Sequence, residues 1–260
     1  MKKQLDPRFV QSEKAPLLFW RYALPNMVTL GALSFGLTAL KFTGDGSFVS
    51  AIACILIAAV LDSLDGRVAR AMGSNSKFGA ELDSLADVIC FGVVPAYMVY
   101  EWGLTPYGAL GWAASMAFTS ACALRLARFN VAVADVDLPL WRSHFFTGVP
   151  APAGAFLCLA PLYALYAELL TSEMAARFAI FWVPFVAALM VSTWPTFSSK
   201  SLSRKALRLF FVPTLVVSIA LVAGLYFAPW ATLTGCCACY LLSFPFSKLR
   251  YYRNMKRGLS

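Results

Sequence analysis

Charge is what this 260-residue chain has least of. Asp, Glu, Lys and Arg make up 13% of it, about half their share in an ordinary soluble domain. Histidine is rarer still: His144 is the only one, and a single histidine in a polar loop is more often solvated than catalytic. The seven cysteines (Cys54, Cys90, Cys122, Cys158, Cys236, Cys237 and Cys239) are odd in number and all lie in apolar stretches. That excludes a disulfide scaffold, and the thiols read as small hydrophobes. The cluster at 236, 237 and 239 has no His or second Cys pair beside it to complete a zinc site. Internal repeats and low-complexity tracts are also absent. Present instead is a hydrophobic excess of 60%, with mean hydropathy +0.68, 21 Phe, 10 Tyr and 7 Trp. Such a composition is the opposite of disorder and too apolar for a soluble core. It has room for about eight membrane helices of roughly 20 residues each.

Apolar stretches bounded by charge or turn residues predict eight spans, near 26–42, 48–64, 78–100, 107–127, 151–170, 175–194, 209–227 and 231–246. The expected fold is all-α, a polytopic membrane bundle. Alternation then puts 20 of the 22 basic residues on one side. These are Lys2, Lys3, Arg8, Lys14 and Arg21 before the first span; Arg67, Arg70 and Lys77; Arg125, Arg128 and Arg142; Lys200, Arg204, Lys205 and Arg208; and Lys248, Arg250, Arg253, Lys256 and Arg257 at the end. Only Lys41 and Arg177 fall on the other side. The positive-inside rule makes the basic side, with both termini, cytoplasmic. The net charge of +9 is therefore a topology signal, helped by anionic lipid, and not a nucleic-acid footprint. Residues 1–25 carry Asp6, Glu13, Pro7 and Pro16 ahead of any apolar run, unlike a cleaved signal. They read as a cytoplasmic segment whose stretch Leu17, Leu18, Phe19, Trp20 and Tyr22 suits the membrane interface.

Acids inside spans are the informative anomaly, since each costs about 2.5 to 3.5 kcal/mol near the bilayer centre. Four cluster here. Asp62 and Asp65 end the second span, and Asp83 and Asp87 open the third. At 100° per residue Asp83, Asp87 and Gly79 share one helix face, while Asp65, Gly66 and Ala69 lie within about 60° of Asp62. With the two helices as antiparallel neighbours, Asp62 and Asp87 form the deeper pair and Asp65 and Asp83 the shallower one. Unneutralised, four carboxylates so close would repel or take up protons, and Arg67 and Arg70 offer at most two countercharges. All-oxygen ligands suit Mg²⁺, Mn²⁺ or Ca²⁺. Two ions about 3.5 to 4 Å apart would fit this spacing, an arrangement common in phosphoryl transfer. Gly66, Ala69 and Gly79 leave room for a phosphate-bearing ligand, and Arg70 can meet its remaining charge. A plainer alternative pairs Asp62 and Asp65 with Arg67 and Arg70 at a helix end.

The pattern Asp62-x2-Asp65-Gly66-x2-Ala69-Arg70-x8-Gly79-x3-Asp83-x3-Asp87 resembles the complete signature of the CDP-alcohol phosphotransferase family. That resemblance implies a six-helix core over 26–195, followed by two further helices and a basic tail over 196–260. It also implies transfer of a phosphatidyl or similar group from a CDP-linked donor to an alcohol, with release of CMP. Two divalent cations, Mg²⁺ or Mn²⁺, would sit on Asp62, Asp65, Asp83 and Asp87, and Asp87 would be the general base. A homodimer in the plasma (inner) membrane, with its site at the cytoplasmic face, is implied as well.

Further stretches resemble the serine-accepting, phosphatidylserine-forming branch of that family: 24–30 (LPNMVTL), 87–96 (DVICFGVVPA), 123–130 (ALRLARFN) and 146–153 (FTGVPAPA). The implied substrates are CDP-diacylglycerol and L-serine. A serine carboxylate entering so acidic a site needs a guanidinium, and Arg125 and Arg128, one turn apart, are the candidates, although topology alone also favours arginines there. Asn26 and Thr29 would contact the donor or simply cap a helix. Residues 147–152 are expected to form a rigid loop into the fifth span. Choline, glycerol phosphate or inositol phosphate are alternative acceptors. A divalent-cation transporter is the non-enzyme alternative, but Asp45, Glu101, Glu168 and Glu173 fall in outer loops, leaving no acidic path across the bilayer.

Overall fold

The computed structural model describes residues 7–73, 76–134, 145–192, 195–197 and 211–258. His144, Arg142, Lys2, Lys3 and the basic loop residues Lys200, Arg204, Lys205 and Arg208 lie outside them. Ten α-helices are described: α1 (Pro7–Gly44), α2 (Phe48–Met72), α3 (Lys77–Asp87), α4 (Val94–Val99), α5 (Ala109–Ala134), α6 (Ala151–Cys158), α7 (Ala160–Tyr166), α8 (Ser172–Val191), α9 (Phe211–Phe227) and α10 (Pro229–Gly258). Among them α2, α8, the 23–44 part of α1 and the helical run 77–107 are long and apolar enough to cross a membrane. The chain divides into two units, 1–94 and 95–260.

In the first unit α1 packs along α2. Among the described side chains of α1, from residue 23 on, the buried positions are Pro25, Thr29, Ala32, Gly36, Ala39 and Thr43. Their alternating steps of four and three make a seam of small residues with the 3.5-residue period of left-handed helix pairs. Small residues let backbones approach closely, which in lipid is the main source of helix association. The facing seam on α2 runs through Ala51, Ile55, Ala58 and Asp65. At the start, residues 7–22 continue into the first span as one 38-residue helix. Pro25 removes a single N–H from its ladder without ending it.

Helix α2 stops at Gly73, whose φ of 60° and N–H bonds back to Ala69 and Arg70 form a left-handed cap. Ser76 starts α3 three residues later by accepting the Gly79 N–H at 2.9 Å. After Asp87 the helix widens into a π-helical turn, Val88–Val93. There Cys90 lies against Gly36 of α1: a Cβ on Gly36 would come 2.5 Å from the Cys90 Sγ. A second π turn, Tyr100–Leu104, and a 3₁₀ turn, Thr105–Tyr107, end the run in the second unit.

In the second unit α5 packs on α8, and α7 on α8 and α10. The expected span 151–170 is broken into α6 and α7 at Leu159. Pro161 is the reason, since it has no N–H to bond the Leu157 carbonyl one turn back. The indole of Trp182 donates to that carbonyl instead, at 2.6 Å. The expected loop at 147–152 begins inside a short strand: β1 (Phe145–Thr147) pairs antiparallel with β2 (Pro195–Phe197), a small departure from an all-helical chain. All seven cysteines are free, and five of them are buried.

Both cations left on the non-basic side have acidic partners one turn away, Lys41 with Asp45 and Arg177 with Glu173. Exposed apolar side chains cover most of α9, among them Val216, Val217, Ile219, Val222 and Phe227. Such a face matches lipid and not water.

Gly36→Ala should push the Cys90 thiol out of the seam and lower stability by roughly 1 to 3 kcal/mol. Adding Cys90→Ala should recover most of that loss, because the remaining contacts are 3.4 Å. Thermal unfolding in detergent of the two single variants and the double variant reads this out, and equal losses in Gly36→Ala and the double variant would refute it.

Candidate active site

The eight residues between Arg70 and Gly79 are the length that a helix end, a short link and a helix start require. Asp62 and Asp65 lie ten and seven residues before the end of α2, and Asp83 and Asp87 six and ten after the start of α3. At 1.5 Å per residue this puts Asp62 and Asp87 both about 15 Å from the link, and Asp65 and Asp83 both about 10 Å from it. The helices are not in contact along their length, however. Among the described residues α2 meets the 77–107 run mainly at the π turn 88–93, while α1 packs against both α2 and α3. The acids therefore face one another across a gap that opens from the π turn towards the link.

Three of the four acids converge. One carboxylate oxygen each from Asp62, Asp83 and Asp87 lies within 4.8 Å of the other two, and all three side chains are half-buried. Asp62 and Asp87 approach to hydrogen-bonding distance. Oxygens bound to one small divalent cation at 2.0 to 2.6 Å are at most about 5 Å apart, so this triad fits an ion with little movement.

Asp65 is held differently. It is only 5% exposed, and its Oδ2 accepts the Thr29 hydroxyl at 2.7 Å. Arg70 acts on it electrostatically and the Gly66 backbone N–H donates to it. Thr29 is itself buried, with its hydroxyl also 3.2 Å from the Pro25 carbonyl. Thus Thr29, expected at the donor, is turned towards a carboxylate in this structure. The sequence singles out Thr29 only as a donor contact or a helix cap, and nothing in it points to Asp65.

The small residues sit where contacts are tight. A Cβ on Gly79 would be 3.0 Å from the Asn26 Oδ1 and 3.1 Å from the Ser76 Oγ, so α1 and α3 approach closely at the mouth of the gap. Asn26 is half-buried beside it. A Cβ on Gly66 would touch the Arg70 guanidinium at 3.5 Å, and the exposed Arg70 lies along that turn with Ala69 half-buried next to it.

Arg125 and Arg128 belong to the second unit and have different environments. Arg125 is 8% exposed, an unusual degree of burial for a guanidinium. Arg128 is exposed, and its Nη1 donates to the Val191 carbonyl at 2.9 Å, capping the end of α8. Sequence gave no means of separating the two.

The arrangement can hold a hard cation with oxygen ligands next to a glycine-lined opening, which is the equipment for binding a diphosphate. Known proteins agree with that chemistry. The chain is 35% identical to a CDP-diacylglycerol--serine O-phosphatidyltransferase of Mycobacterium leprae over 228 residues, which are 86% of this chain and 74% of that protein. It is 40% identical to proteins of the same description from Mycobacterium tuberculosis, over 66% of this chain and 60% of that one, and Helicobacter pylori, over 52% and 55%. Residues 22–197, which include all four aspartates, match the model of the CDP-alcohol phosphatidyltransferase family, and the chain belongs to that family.

Proposed function

We propose that this chain transfers the phosphatidyl group of CDP-diacylglycerol to the hydroxyl of L-serine, giving phosphatidylserine and CMP. The observation that carries the reading is the convergence of Asp62, Asp83 and Asp87 in a chain whose named relatives act on serine. Asp62, Asp65, Asp83 and Asp87 would hold two divalent cations, Mg²⁺ or Mn²⁺, which when bound would supply neutralising charge for the diphosphate and for departing CMP.

The chain's own residues do the rest. Asn26, Gly66, Ala69, Arg70 and Gly79 line the opening for the CDP group, with Arg70 meeting phosphate charge. Thr29 fixes Asp65 in the orientation a ligand needs. Asp87 takes the proton from the serine hydroxyl as its oxygen attacks the phosphorus that carries diacylglycerol. The bond from that phosphorus to the bridging oxygen breaks, and CMP leaves with the electron pair. Arg125 receives the serine carboxylate. Arg128, engaged with the end of α8, is the weaker candidate for that contact. The acyl chains stay in lipid, since withdrawing them would cost about 0.8 kcal/mol per CH₂.

The membrane arrangement follows the charges. Eight spans, a core over 26–195 with two added helices over 196–260, both termini in the cytoplasm and a homodimer in the plasma (inner) membrane make up the reading. The basic asymmetry supports the orientation. So does the local neutralisation of Lys41 and Arg177 by Asp45 and Glu173.

CMP release from CDP-diacylglycerol in detergent should require serine, while choline, glycerol phosphate and inositol phosphate should not replace it. Asp87→Asn should lower kcat by about 10² to 10⁴ without unfolding the protein, and full activity would sink the assignment of the base. Thr29→Val should weaken metal activation about 10- to 100-fold, as loss of a ligand-orienting partner does. Titration of activity with Mn²⁺ checks this, and an unshifted curve would show that Asp65 needs no such partner. Arg125→Lys should raise the serine KM, whereas Arg128→Ala should chiefly lower thermal stability. The reverse pattern would exchange their roles.

A further inference from the structure

Near their starts, at the end away from the Arg128 cap, α5 and α8 border a groove of about 600 Å³. Small side chains open it: Ala113 and Ala117 line it from α5, and Phe181 and Pro184 from α8. Its lips are uncovered, with Leu110 72% and Phe181 78% exposed. Helix α8 is long and apolar enough to cross a membrane, so an apolar groove along it suits acyl chains and not water. Two polar side chains also line the groove, Tyr107 and Arg177. Arg177 is 69% exposed and is paired with Glu173, one turn nearer the helix start and 75% exposed. A guanidinium has five N–H donors, so one carboxylate leaves donors for a second anion.

Glu173, Arg177, Phe181 and Pro184 fall on one stripe of α8, within about 80° of one another at the helical period. The helix rises about 6 Å from Glu173 to Arg177 and about 10 Å from Arg177 to Pro184. Inward from the helix start the order is therefore anion, cation, apolar groove. A zwitterionic phospholipid has the complementary order: an ammonium outermost, then a phosphate, then acyl chains. An anionic headgroup would satisfy Arg177 but leave Glu173 facing a like charge, which is unfavourable. A primary ammonium can in addition donate hydrogen bonds to the Glu173 carboxylate. We propose that the groove binds one acyl chain of a phosphatidylethanolamine, with the lipid phosphate on Arg177 and its ammonium on Glu173. Tyr107 then stands at the headgroup level, where tyrosines collect. All these residues belong to the second unit, and the site requires neither serine nor the aspartates.

Full-length protein in nanodiscs of equal parts phosphatidylethanolamine and phosphatidylglycerol tests this, with a trace of one lipid or the other carrying a photoactivatable group in its acyl chain. Mass spectrometry of the digested protein should find the ethanolamine probe on residues 110–117 and 180–184. Its yield there should exceed that of the glycerol probe about three- to fivefold, the scale on which exposed ion pairs act. Glu173→Gln removes the partner of the ammonium from an exposed position and should abolish the preference while leaving the groove labelled. Ala117→Trp fills the groove and should lower labelling by both probes, and Ala113→Leu serves the same purpose if the tryptophan variant unfolds at a lower temperature. Equal yields from the two probes in the wild-type chain, or a preference that survives Glu173→Gln, overturn the proposal. So does an absence of label at these residues, the result expected if a second copy of the chain covers the groove.

Discussion

Carboxylates from two helices can share a cation only if the helices carrying them are held at a set spacing, and the small-residue seam on α1 helps to set it. Thr29, Ala32, Gly36, Ala39 and Thr43 put only small side chains on the buried face of α1. The same seam meets the π turn after Asp87 through Gly36 and Cys90. Helix α1 thus carries no acid of the cluster yet positions both acid-bearing helices. The contact of Thr29 with Asp65 is the polar end of this seam. A hydrogen bond to a charged group contributes about 1.5 to 3 kcal/mol, enough to keep one carboxylate aimed while the other three adjust to a ligand.

The gap between α2 and α3 follows from this scaffold. Two helices packed face to face would bury their acids against each other at a large electrostatic cost. Here α1 touches both, and they meet each other at the π turn. Asp62, Asp83 and Asp87 are held together yet remain half-buried. A π turn adds a residue to the helical circuit and shifts every later side chain around the axis. Placed directly after Asp87, it lets the acid face and the packing face of one continuous helix point in different directions.

How much of this the amino-acid order reveals depends on whether the cause is local. The helical period puts Asp62 with Asp65 and Asp83 with Asp87 on common faces, and the gap of eight residues between Arg70 and Gly79 fixes their matching heights. Both are properties of a single helix or a single link, and both can be read from the string of residues. Pro161 likewise carries its own signal for the break at Leu159, although length and hydropathy alone make 151–170 look like one span. The partner of Asp65 is different, because Thr29 is 36 residues away and is chosen by how two helices cross. Arg125 and Arg128 are equivalent in sequence, one turn apart at a helix end. Only the packing of α5 on α8 separates a buried guanidinium from one that caps a carbonyl 63 residues on.

The scarce charges are divided by function as well as by position. Lys41 and Arg177 are satisfied by acids on their own turn of helix, and such exposed pairs contribute little stability. They leave those two turns locally neutral. Arg128 is spent on a helix end. Arg125 is the exception, a guanidinium withdrawn from water. Burying a charge costs more than a surface arginine returns to orientation. An arginine kept in that position therefore draws its stabilisation from partners inside the fold.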